Sequence, residues 1–126
     1  MSLRTPLGRA QGLGTAKSGL HHWWLQRLTA IALAPLSLWF ALAATHLLHA
    51  DYYATVSWVA DPLNACLLII FLVALYYHAL LGMQVVVEDY SHGPGEKLVC
   101  LVILRLLFLF VGITAVLAVL KVALGG

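Results

Sequence analysis

Three long apolar stretches leave this chain few folds to choose from. Leu28 to Thr45 contains no charged residue. Leu63 to Val87 has only Asn64, His78 and Gln84 as strongly polar members, and Leu98 to Leu120 has Arg105 as its single charge. A helix advances about 1.5 Å per residue, so about 20 residues cross a hydrocarbon core about 30 Å thick. Each stretch is long enough to cross. Lipid offers no partner to backbone polar groups, and an unbroken apolar run fits a helix rather than the alternation of a barrel strand.

Composition supports the same solvent. The chain is 63% hydrophobic and 10% charged, whereas soluble domains carry about 25% charged residues. The expectation is an all-α membrane protein with three transmembrane helices, at about 22–48, 62–90 and 97–122, behind a basic tail over 1–21. The first stretch is not read as a cleaved signal. About 20 polar, Gly-containing residues precede it, and it is longer than the roughly 7–15 apolar residues of a signal core.

Basic residues set the expected orientation. The tail holds Arg4, Arg9 and Lys17, the first loop (His49 to Asp61) holds Asp51 and Asp61 with no Lys or Arg, and the second loop holds Lys97. The N-terminus is therefore expected on the cytoplasmic side and the C-terminus on the periplasmic side, with Lys121 the one opposing charge. No transit peptide is read, which favours a bacterial cytoplasmic (inner) membrane over a mitochondrial one.

Two other features carry little chemistry. Cys66 and Cys100 lack disulfide or metal spacing and are expected as small buried hydrophobes. The tail GRAQGLGTAKSG fails as a phosphate loop, because Ala16 stands where a glycine should precede Lys17 and no strand comes before it. A nucleic-acid partner is not expected.

Polar residues can then be given depths. His78 lies about 14 Å from the inner end of the second span, near the bilayer centre. A polar group there is costly. Three roles are open to it: a hydrogen bond to a neighbouring helix, axial ligation of a haem, or a proton relay or other metal site. Gly82, within roughly 40° of His78 on the same helix face, leaves room for a flat macrocycle or for close helix packing. Matching depths fall near Ala32 to Ala34 on the first helix and near Leu107 on the third, and no histidine lies there. His46 and His49 sit at the far end of the first helix, and His21, His22 and His92 at the inner boundary. A six-coordinate haem would need its second ligand from another chain.

Arg27 and Arg105 lie between His78 and the inner surface. Arg27 suits a pair with haem propionates or snorkelling to the interface; Arg105 suits an interhelical pair or snorkelling. Asp89 and Tyr90, with Glu88, close the second helix. Tyr90 stands roughly 18 Å along the axis from His78. A phenol beside a carboxylate there can hydrogen-bond a quinone carbonyl and help supply protons, or simply form a solvated helix end.

KSGLHHWWLQRLTAIAL at 17–33, followed by YYHALLGMQVVVEDY at 76–90, resembles the small hydrophobic membrane-anchor subunit of succinate dehydrogenase. The likeness runs from the basic tail to the third helix. It rests on H-x-x-x-G and a terminal D-Y in the second helix and H-x5-R in the first. It implies that His78 is an axial ligand of haem b, whose other ligand comes from the larger anchor. It also implies that Arg27 and His21 lie near the haem propionates, and that Tyr90 and Asp89 contact ubiquinone, the substrate. The implied partners are the cytochrome b anchor, the iron–sulfur subunit and the flavoprotein subunit, in a heteromeric helix bundle that does not itself bind succinate. Two tryptophans after His22 depart from members with an acid following the first histidine. Two rival readings stand beside this one: a free-standing homodimeric cytochrome b, and a cofactor-free structural membrane subunit.

Overall fold

The computed structural model describes residues 5–7 and 16–125, with side chains described at 5–7 and from 19 onward. Arg4 and Arg9, on which the expected orientation partly rests, lie outside the described residues, as does the side chain of Lys17. From residue 16 onward the described residues form four helices in order: α1 Ala16–Leu47, α2 Tyr52–Ala60, α3 Pro62–Tyr90 and α4 Pro94–Ala123. No strand occurs among the described residues.

Among the described residues, three segments are long and apolar enough to cross a membrane: Gly19–Leu47, Pro62–Tyr90 and Pro94–Ala123, of 29, 29 and 30 residues. At about 1.5 Å per residue each is longer than a hydrocarbon core of about 30 Å, so these helices tilt or project beyond it. Pro35 falls inside α1, where its missing N–H leaves one backbone carbonyl without its usual donor. Threonines in the spans satisfy their hydroxyls on the preceding turn. Thr45 donates to Leu42 O at 2.7 Å and Thr114 to Phe110 O at 2.8 Å, a bond that an apolar solvent makes obligatory.

The stretch expected as the first loop contains α2. Asp51 caps its start by accepting from Ala54 N at 2.7 Å. Asp61 ends it and also begins α3: its backbone N–H donates to Ser57 O, and its carboxylate accepts from Leu63 N at 3.0 Å and Asn64 N at 3.1 Å. Pro62 in the first turn of α3 gives up no hydrogen bond, since the first N–H groups of a helix have no internal partner. Asn64, the polar residue nearest that end, donates to Trp58 O at 3.0 Å and ties α3 to α2.

The long helix α3 is the shared element, with α1 packed on one side of it and α4 on the other, while α2 braces α3 and α4 near Asp61. Aromatic pairs mark the seams. Phe40 stacks on Phe71 at 5.0 Å, Trp39 on Trp58 at 5.7 Å, and Tyr76 meets Phe108 edge-on at 6.4 Å. Only Leu33, Ala65, Leu68, Phe71 and Leu81 form a buried core among the described residues. Most large apolar side chains face outward, which in lipid carries no hydrophobic penalty and leaves broad surfaces for lipid or other helices. Cys66 and Cys100 are among the outward residues, both free and exposed. This corrects the expectation that they are buried, because the apolarity of a residue gives no direction when the solvent is apolar too.

Candidate functional site

His22, Gln26 and Thr29 of α1 and His78 of α3 meet at the seam between these helices. On α1, His22, Gln26 and Thr29 recur at helical spacing and are followed by the buried Leu33, so one stripe of the helix faces α3. On α3, His78 and Val85 share a face. His22, Trp23, Gln26 and Arg27 line, with His78 and Val85, a groove of about 460 Å³, a size typical of small-molecule sites.

His78 is half-buried, and its Nδ1 lies 2.9 Å from Thr29 Oγ1. This contact also corrects the depth count. The level of His78 on α1 is Thr29 rather than Ala32 to Ala34, because the two helices start at different heights and need not cross the layer at equal tilt. On α4 the level is close to that expected, since Tyr76, two residues before His78, packs on Phe108 and Gly112.

Three further groups complete the groove. The Arg27 guanidinium carbon sits 4.6 Å from the centre of the Trp23 ring, a cation–π contact that holds the arginine at the rim. Gln26 contributes a side-chain oxygen, Oε1, that is buried and has no hydrogen-bond partner among the described residues. Such an atom costs free energy until something donates to it. His22 also lines the groove, about 10 Å along α1 from Thr29. No cluster of three or more His, Cys, Asp or Glu side chains capable of holding a metal occurs among the described residues.

The other sequence-derived candidates fall elsewhere. His21 is exposed and outside the groove lining, where its neighbour His22 takes the place. Asp89 and Tyr90 stand at the end of α3, with Tyr90 78% exposed and free to meet a ligand or another chain. Arg105 belongs to a second, larger groove of about 540 Å³ between α3 and α4, lined by Tyr76, Tyr77, Phe108 and Gly112 among others. That groove is almost wholly apolar, and its lining holds no imidazole. Sequence reasoning missed His22, Gln26 and Thr29. Their spacing along one face of α1 was the available signal.

What the His78 groove can do follows from its groups. An imidazole with its Nε2 unpartnered among the described residues can ligate a metal. A guanidinium beside it can pair with carboxylates. The helix face at Gly82 is open, since a Cβ there would meet only Gln26 Nε2, at 4.0 Å. This donor set fits one face of a flat, metal-centred, anionic ligand.

Comparison with known proteins agrees with the architecture. Residues 1–120 match the family model of the succinate dehydrogenase/fumarate reductase transmembrane subunit. The chain is 42% identical over 87 residues to the succinate dehydrogenase hydrophobic membrane anchor subunit of Rickettsia bellii, covering 69% of this chain and 70% of that one. It is 34% identical over 94 residues to the succinate dehydrogenase membrane anchor subunit of Reclinomonas americana, covering 72% and 78%. The Rickettsia prowazekii anchor subunit is 31% identical over 111 residues, covering 88% and 89%. No solved structure matches. The chain belongs to the succinate dehydrogenase/fumarate reductase transmembrane-subunit family.

Proposed function

We propose that the chain is the small membrane anchor of a succinate:ubiquinone oxidoreductase in a bacterial cytoplasmic membrane, holding one face of a haem b and part of the ubiquinone-reduction site. The observation that carries this reading is His78, tethered through Nδ1 to Thr29 in a groove it shares with Arg27. His78 Nε2 would ligate the haem iron. No other imidazole lies near the level of His78 among the described residues, so a second protein ligand would come from the cytochrome b anchor. Arg27 pairs with a propionate at the rim, and the unsatisfied Gln26 Oε1 accepts from a donor that the assembled complex brings. When bound, the haem supplies a one-electron redox centre.

Reduction of a quinone takes two electrons and two protons, and protons must come from water at the membrane edge. Tyr90 and Asp89, exposed at the end of α3, stand where such protons enter. The phenol donates to a quinone carbonyl and the carboxylate passes protons. Iron–sulfur and flavoprotein subunits dock on the same side and carry the succinate chemistry. The exposed apolar faces of α1 and α4 accommodate the cytochrome b anchor in a heteromeric bundle.

The test is His78→Ala, expressed with its partner subunits. Haem per assembled complex is expected to fall to near zero. A complex that keeps its haem would overturn the reading in favour of a cofactor-free structural subunit. The chain purified alone with a bis-histidine haem would instead support the homodimeric cytochrome.

A further inference from the structure

We infer that Thr29 is the positioning residue for His78: its hydroxyl oxygen accepts the Nδ1–H of the imidazole, which fixes Nε2 as the ligating nitrogen and enriches it in electron density. The inference rests on the reading that His78 holds the haem iron.

The geometry of one hydroxyl decides the tautomer. Thr29 Oγ1 lies 2.8 Å from Leu25 O, 3.1 Å from Gln26 O and 2.9 Å from His78 Nδ1. A threonine hydroxyl has one proton to donate and two lone pairs with which to accept, while a backbone carbonyl can only accept. Suppose the proton pointed at His78 Nδ1. The hydroxyl oxygen would then face two carbonyl oxygens at 2.8 and 3.1 Å with no hydrogen between them, a repulsive arrangement. With the proton pointing to the preceding turn, donated to Leu25 O and shared with the more distant Gln26 O, a lone pair of Oγ1 faces the imidazole, and the contact with His78 is an Nδ1–H donating to Oγ1. Thr45 and Thr114 orient their hydroxyls on the preceding turn in the same way. As a β-branched residue in a helix, Thr29 has few rotamers to choose from, so the acceptor is held in place before any ligand arrives.

The consequence for the ligand is chemical. A ring N–H that donates to a fixed acceptor orients a ligating histidine and raises its basicity. A more electron-rich Nε2 favours the ferric over the ferrous state and so lowers the haem midpoint potential. The bond also spans two helices, so it sets the imidazole plane relative to α1, the helix that carries Arg27 and Gln26.

The experiment uses the whole complex with three variants. Thr29→Val keeps the shape and removes the acceptor, Thr29→Ala removes it without bulk, and Thr29→Ser keeps a hydroxyl. Haem midpoint potential and haem retention against a scavenging apoprotein are the readouts. Thr29→Val and Thr29→Ala are expected to raise the potential and weaken haem retention about 10-fold, the low end for loss of such a supporting partner. Thr29→Ser is expected to restore both. Wild-type potential and retention in Thr29→Val overturn the inference. Solid-state 15N spectra of the wild-type complex labelled at histidine read the same point without substitution: a proton on Nε2 of His78, with none on Nδ1, overturns it. The two levels separate cleanly. Haem lost in His78→Ala but unaltered in Thr29→Val removes only the role of Thr29, whereas haem retained in His78→Ala removes the ligand reading itself.

Discussion

Gly82 on α3 faces Gln26 on α1, and a methyl group added at Gly82 would stand 4.0 Å from Gln26 Nε2. That is ordinary van der Waals contact with the end of a flexible side chain. Nothing among the described residues therefore demands a glycine at this position, although it lies one turn from His78.

A size series at Gly82 separates packing from cofactor. Gly82→Ala is expected to leave the fold intact and to gain up to about 1 kcal/mol of helix propensity. Gly82→Leu fills the side on which the macrocycle is proposed to lie, and is expected to lower haem content while the helical circular dichroism of the complex stays unchanged. Full haem occupancy in the leucine variant would show that the cofactor does not use this space.

Arg27 tests the anionic rim. It is held over Trp23 at 4.6 Å and makes no ion pair among the described residues. Arg27→Leu would remove the proposed charge-assisted hydrogen bond to a propionate, worth about 1.5–3 kcal/mol, so haem retention is expected to fall at least about 10-fold. Removing a positive charge near the iron is also expected to lower the midpoint potential, opposite in sign to the effect at Thr29. Trp23→Leu, which frees the arginine without removing its charge, is expected to give a smaller change in the same direction. An unchanged potential in Arg27→Leu would place the propionates elsewhere.

These sites were legible to different degrees. The three spans follow from the sum of side-chain transfer energies along the sequence, which needs no knowledge of neighbours. The histidine level follows from helix rise, to within a turn or so on α1. Direction did not follow. A helix that is apolar all round has no polar face to orient it, so the outward placement of Cys66 and Cys100 could not be read from composition. His22 and Gln26 were visible as polar residues but not as members of the His78 groove, because membership depends on which stripe of α1 meets α3. The short α2 does not show in the charge of the segment between Asp51 and Asp61; its signal is the pair of aspartates, both at positions that favour helix caps.

Asp61 joins two helices through one residue, ending α2 with its backbone and opening α3 with its carboxylate. Asp61→Ala is expected to cost about 1 kcal/mol in stability through loss of the cap, read as earlier thermal unfolding of the complex. Haem potential should not respond, since α2 braces the end of the layer remote from His78. Asp61→Asn retains a capping oxygen and is expected to recover most of the loss. A stability loss as large in the asparagine variant would mean that the charge, not the cap, is what matters there.

Tyr90 provides the sharpest division between the two stations of α3. It is 78% exposed and roughly 18 Å from His78 along the axis, so its phenol can be removed without touching the histidine groove. Tyr90→Phe deletes one hydroxyl and keeps the ring. The loss expected is that of a single hydrogen bond to a quinone carbonyl, about 0.5–1.5 kcal/mol, or roughly a 2- to 10-fold fall in kcat/KM for a ubiquinone analogue. Succinate oxidation with a soluble dye as acceptor should keep its rate, because the dye does not need the quinone site. Haem content and potential should match the parent complex. An equal fall with dye and quinone would mean that Tyr90 supports assembly of the peripheral subunits, and the assignment of a quinone contact to this residue would be lost.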